Sequence, residues 1–91
     1  DKGWGLRKLL DIMGVKGLII AIGDGLNDVP LFDVADFSIA PSNAPELLKN
    51  HASVVLPYSF SEATLYALKN IEHLFKLRKF DLNTLKTVIL K

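Results

Sequence analysis

The sequence predicts an α/β fold of about three parallel strands with flanking helices. Three observations predict it. Short apolar runs alternate with amphipathic stretches along the 91 residues. The runs are apolar throughout, as suits parallel strands buried on both faces. Helical start signals follow each run, and this alternation implies crossovers that keep the strands parallel.

The elements follow in chain order. Residues 4–13, WGLRKLLDIM, set Trp4, Leu6, Leu9, Leu10 and Met13 at helical spacing, with Gly14 as a stop. GLIIAI, residues 17–22, reads as the first strand. A helix is expected over 29–35, with Pro30 tolerated in its first turn. FSIA, residues 37–40, reads as the second strand. Asn43 is expected to cap a helix over 44–50. SVVL, residues 53–56, reads as the third strand. Ser59 and Glu62 have capping-box spacing. Leu65, Leu68, Ile71, Leu74 and Phe75 then give one apolar helix face. Asp81 is expected to cap a last short helix. The whole is a partial, Rossmann-like three-layer sandwich: one domain over 1–91, with 58–91 as a C-terminal helical segment. Three strands make a thin sheet, so a bare edge is expected, open to a partner strand or a second copy.

Composition bounds the function. The net charge is +1 and hydrophobic residues make up 49%. Near-neutrality gives no case for nucleic acid or membrane binding. No apolar run approaches the ~20 residues that span a bilayer. With no cysteine, disulfide and thiolate chemistry are excluded, and a cytoplasmic location is compatible. Residues 69–91 carry Lys69, Lys76, Arg78, Lys79, Lys86 and Lys91 against Glu72 and Asp81. This basic segment reads as a solvated helix face. His51 and His73 have no acidic partner at ligand spacing and read as ordinary surface residues. The chain opens on Asp1-Lys2-Gly3 rather than Met, which reads as the interior of a longer protein.

The chemistry concentrates in GDGLND, residues 23–28. In open α/β sheets ligands sit beyond the carboxyl ends of the strands, where this turn falls. Gly23 and Gly25 are expected to allow a sharp turn and close ligand approach. Asp24 and Asp28 bracket the turn. Two carboxylates ~4 Å apart repel by about 4 kcal/mol at an effective dielectric of ~20. A proton on one of them offsets that. So does a hard cation, and oxygen-only ligands suit Mg²⁺.

These residues resemble a known family. Gly23-Asp24-Gly25-Leu26-Asn27-Asp28 looks like the fourth motif of the haloacid dehalogenase (HAD) superfamily, and Asp1-Lys2-Gly3 like its third. Ile39 through Lys49, followed by Ser53-Val54-Val55, is similar to the Cof-type subgroup, the neighbourhood of mannosyl-3-phosphoglycerate phosphatase. The resemblance covers about residues 1–57. It implies the C-terminal half of a HAD core and hydrolysis of a phosphomonoester, a sugar phosphate in this subgroup. It implies that Asp24 ligates Mg²⁺ and that Asp28 assists as ligand or through water. It further implies that Asn27 contacts phosphate, that Lys2 neutralises phosphate charge, and that Asn43 lines the site.

One family feature is missing. The nucleophile motif Asp-x-Asp does not occur in the chain. Its nearest look-alike, Phe80-Asp81-Leu82-Asn83-Thr84, follows a basic stretch where an apolar strand should run, and reads as a coincidence. The chain alone is therefore expected to be inactive. Two other readings are a fragment of a P-type ATPase, whose hinge also carries Gly-Asp-Gly-x-Asn-Asp-x-Pro, and a non-catalytic interaction module.

Overall fold

The computed structural model of the chain describes residues 18–90. The expected helix over 4–13 and the site residue Lys2 lie outside them.

Three strands form one parallel sheet in the order β1-β2-β3: β1 Ile20–Ile22, β2 Phe37–Pro41 and β3 Val54–Leu56. Ile22 lies opposite Ile39, and Ile39 opposite Val54. Polar groups fix the register at the amino ends of the strands. The Ile19 amide donates to Asp36 Oδ2 at 2.8 Å, and the Asp36 amide returns to Ile19 O at 2.8 Å. The Ser38 amide donates to Ser53 Oγ at 2.9 Å, and the Ser53 amide to Ser38 Oγ at 2.9 Å. Ser38 is buried and is satisfied by these bonds, as buried polar groups must be.

Helices cover both faces. Helices α1 (Val29–Val34) and α2 (Glu46–His51) pack on one side, where Leu31, Phe32 and Leu48 meet Ala21 and Ala40. Helices α3 (Phe60–Lys76) and α4 (Leu82–Ile89) pack on the other. There Ala63, Ala67, Ile71, Leu74, Leu85 and Ile89 close over Ile20, Ile22, Phe37, Ile39, Val54 and Leu56. Strand residues alternate between the two cores, as period-2 side chains must. The three-layer α/β arrangement expected from the sequence is the observed one. Among the described residues β1 pairs only with β2, and its side chains are buried.

Several local expectations need correction. The first strand is shorter than the apolar run, and only Ile20–Ile22 pair. Asn43 does not cap α2. It lies in the preceding turn, and Pro45 holds the cap position with its fixed φ of −59°. The buried face of α3 is also rotated from the expected one. Ala63, Ala67, Ile71 and Leu74 face the sheet, while Leu65 is 60% and Phe75 37% exposed. The alanines let the helix lie close to the strands, so the small residues mark the interface. Ser59 does sit at the N-cap of α3, but its hydroxyl donates to Glu62 Oε1 at 3.2 Å instead of crossing to the backbone.

Candidate active site

Strand β1 ends at Ile22, and the backbone turns at once through Gly23, Asp24 and Gly25 into one 3₁₀ turn, Leu26–Asp28. Asp28 organises this turn. Its amide donates to Gly25 O at 3.0 Å. Its carboxylate reaches backward, and Oδ2 accepts the amides of Asp24 at 3.0 Å and of Gly25 at 3.1 Å. Bonds from backbone N–H to a carboxylate are among the stronger protein hydrogen bonds. The loop therefore closes on its own last residue.

The first glycine is explained by this carboxylate. A Cβ on Gly23 would stand 2.5 Å from Asp28 Oδ2 and 2.6 Å from its Cγ. A Cβ on Gly25 would meet Asn27 Oδ1 at 2.8 Å. Gly25 has extended backbone, φ −134° and ψ 167°, and its one close neighbour is the tip of the exposed Asn27 side chain, so neither a left-handed turn nor fixed atoms demand glycine there as they do at Gly23. The expectation of a glycine-dependent sharp turn gives way to one of side-chain room at Gly23.

Asp28 is 2% exposed, and its second oxygen, Oδ1, is buried with no hydrogen-bond partner among the described residues. Buried polar atoms are almost always paired, and an unpaired charged oxygen is costlier still. One side of the carboxylate is thus finished by the backbone, and the other has no partner among the described residues. Asp24 follows β1 at the carboxyl end of the sheet and is partly buried, while Asn27 is exposed. Asn43 lies in the turn after β2, exposed, at the same end of the sheet. No cluster of three or more His, Cys, Asp or Glu occurs among the described residues. Among the described residues, the candidate ligands for a cation here are the carboxylates of Asp24 and Asp28, with further oxygens from outside them. That donor set fits Mg²⁺, which binds through one or two carboxylates and keeps several waters, and it does not fit zinc.

One feature escaped the sequence reading, and one expectation, the cap at Asp81, is met. His51 Nδ1 lies 2.6 Å from Asp33 Oδ1, joining the end of α2 to α1. The 18-residue separation hid this pair, because only the packing of the two helices brings it together. The look-alike Asp81 is a helix cap: Oδ1 accepts the Thr84 amide at 2.8 Å and Oδ2 the Thr84 hydroxyl at 3.0 Å. It precedes a helix, so the nucleophile motif is not found there.

A parallel sheet whose first described strand delivers a backward-folded carboxylate and a glycine turn to its carboxyl end defines a class. Residues 1–68 match the family model for haloacid dehalogenase-like hydrolases, and the chain belongs to that family. Among its curated relatives, a phosphoglycolate phosphatase of Methanosarcina acetivorans is 40% identical over 73 residues, covering 79% of this chain and 32% of the relative. Phosphoglycolate phosphatase 2 of Saccharolobus solfataricus is 47% identical over 55 residues, 60% of this chain and 24% of the relative. The phosphoglycolate phosphatase of Archaeoglobus fulgidus is 39% identical over 70 residues, 76% and 31%. The chain spans a third or less of the length of these relatives. No solved structure gives a significant match.

Proposed function

We propose that the chain supplies the metal- and phosphate-binding part of a Mg²⁺-dependent phosphatase acting on a small phosphomonoester. The observation that carries this reading is the half-finished carboxylate of Asp28 beside Asp24 at the mouth of β1. In this reading Asp24 holds the metal. Asp28 braces the loop through Oδ2 and offers Oδ1 to the metal or its water. Asn27, Asn43 and Lys2 serve the phosphate. Mg²⁺ supplies charge stabilisation for the transferring phosphoryl group, the electrostatic work that dominates such reactions. The chain's own part is to hold two oxygens still and to keep Cβ atoms out of their way.

The names of the relatives support phosphoglycolate as the substrate in preference to the sugar phosphate expected from the subgroup. They also support a phosphatase in preference to an ion pump. Among the described residues no helix is long and apolar enough to cross a membrane. The 91 residues contain no Asp-x-Asp, so covalent transfer to a carboxylate needs a segment from elsewhere.

Mn²⁺ is the probe. Titrated into the chain, it should lose its free-ion electron paramagnetic resonance signal, and Asp24→Asn should weaken binding at least about tenfold. Identical titrations of the two proteins would remove the metal site. Separately, phosphoglycolate and p-nitrophenyl phosphate should not turn over on the isolated chain. Turnover abolished by Asp24→Asn would show that the nucleophile had been missed.

A further inference from the structure

The outward face of α3 carries a feature that the phosphatase reading does not use. A cavity of about 290 Å³ is lined by Tyr58, Glu62, Leu65, Tyr66 and Lys69. Four of these residues belong to α3 at positions i, i+3, i+4 and i+7. That is the set of four that forms the hole receiving a knob from a facing helix. Tyr58 backs the hole from the segment after β3. Its ring lies 5.2 Å from that of Tyr66, tilted by 54°, so one wall is held by an aromatic pair. Leu65, at the rim, is 60% exposed.

The charges around this hole identify an occupant. Glu62 and Lys69 are seven residues apart, about 10.5 Å along the helix, too far to pair with each other. Lys69 makes no ion pair among the described residues. Glu62, Leu65, Tyr66 and Lys69 are symmetric about the point between Leu65 and Tyr66. A two-fold axis through that point sets a second α3 antiparallel to the first. Leu65 then meets Tyr66 of the second copy, and Glu62 meets its Lys69, twice over. An isologous contact has to be self-complementary in this way.

We propose that this face of α3 is a homodimer surface whose occupant is a second copy of the same chain. Leu65 is the knob, and two reciprocal Glu62–Lys69 pairs set the antiparallel register. One helix pair buries less than a standard interface, which places the dimer at the weak, concentration-dependent end. This surface is separate from the outer edge of β1, where a partner strand was expected. The proposal is also independent of the metal site.

Sedimentation velocity on the 91-residue chain from about 1 µM to about 1 mM tests it. The wild type should pass from monomer to dimer within that range. Leu65→Glu should raise the dissociation constant about tenfold or more. Glu62→Lys and Lys69→Glu should each weaken self-association, because like charges then meet at both ends. An equimolar mixture of these two variants should recover dimer, since every cross-contact again joins opposite charges. All three side chains are exposed, and far-UV circular dichroism verifies that the variants fold. A wild type monomeric throughout the range overturns the proposal. So does association unchanged by Leu65→Glu, or a variant mixture that does not recover.

Discussion

Asp28 and Asp81 both stand just before a helix and both accept backbone amides, yet their carboxylates are finished differently. Asp81 reaches forward. Its two oxygens take the amide and the hydroxyl of the same Thr84, and its side chain lies in solvent. Asp28 reaches backward. One oxygen takes two amides of the preceding turn, and the other is buried without a partner among the described residues. The first arrangement is a complete cap. The second does the structural work with one oxygen and leaves the other unspent. What separates the capping aspartate from the candidate site aspartate is the direction of reach and the burial that follows from it.

The strongest way to break this comparison is Asp28→Ala. Two amide bonds to a charged acceptor contribute roughly 1.5–3 kcal/mol each. Their loss should destabilise the chain by about 3 kcal/mol, read by urea unfolding. That is a large part of the margin of a small domain. A loss within about 0.5 kcal/mol, the range of ordinary surface substitutions, would make Asp28 no more than a second Asp81. Asp28→Asn sharpens the test by keeping the volume and one acceptor oxygen. It should spare most of the stability while weakening Mn²⁺ binding.

Gly23→Ala comes next. The added methyl would overlap the Asp28 side chain at 2.5–2.7 Å, an overpacking cost of about 1–3 kcal/mol. Every close atom belongs to Asp28, down to its Cβ. Asp28→Gly removes them all, so the double variant should lose less than the sum of the two single losses. Strict additivity would mean that Gly23 is there for some reason other than the carboxylate.

A smaller effect of opposite sign is expected in the hairpin that Asp81 helps to build. Arg78 has φ 57°, and among the described residues it is the one non-glycine in the left-handed region. The Arg78 amide donates to Phe75 O at 3.0 Å and the Lys79 amide to Leu74 O at 2.9 Å. This is the Schellman ending of α3, which glycine suits best. Arg78→Gly relieves about 1–2 kcal/mol of backbone strain and costs part of that in unfolded-chain entropy. A net gain of roughly 0.5–1 kcal/mol in thermal or urea unfolding is expected, with the Mn²⁺ titration unchanged. A loss of stability would show that the arginine side chain holds the turn by contacts that outweigh its backbone strain.

The sequence made the order of elements legible because continuous apolar runs and capping residues act locally. It also marked GDGLND as the candidate site, since a doubled acid and two glycines after a buried strand have few other uses. Three things depended on distance or small size and stayed hidden. The rotated face of α3 rests on Ala63 and Ala67, residues that carry little hydropathic signal but permit close packing. The His51–Asp33 pair needs α1 and α2 side by side. The reason for Gly23 lies five residues later, in a carboxylate that folds back. Periodicity can place a residue on an element, but it does not reveal which way a polar side chain turns once it is there.

The finest distinction between the two aspartates is their response to acid. The Thr84 amide, and then the Thr84 hydroxyl, hold the Asp81 carboxyl below its ordinary value. A carboxyl depressed on folding favours the folded state while it is ionised. Its contribution is therefore fully present above the unfolded value of about 3.9 and fades as pH falls through the lower folded value. Asn caps helices about as well as Asp but carries no charge. The stability difference between wild type and Asp81→Asn should accordingly be greatest at neutral pH and shrink below about pH 4, followed by urea unfolding across that range. Full solvent exposure keeps it the smallest effect of the set, and salt should reduce it further. A difference that stays flat with pH would mean that Asp81 caps by shape alone. The contrast with Asp28 would then rest on burial and not on how charge is satisfied.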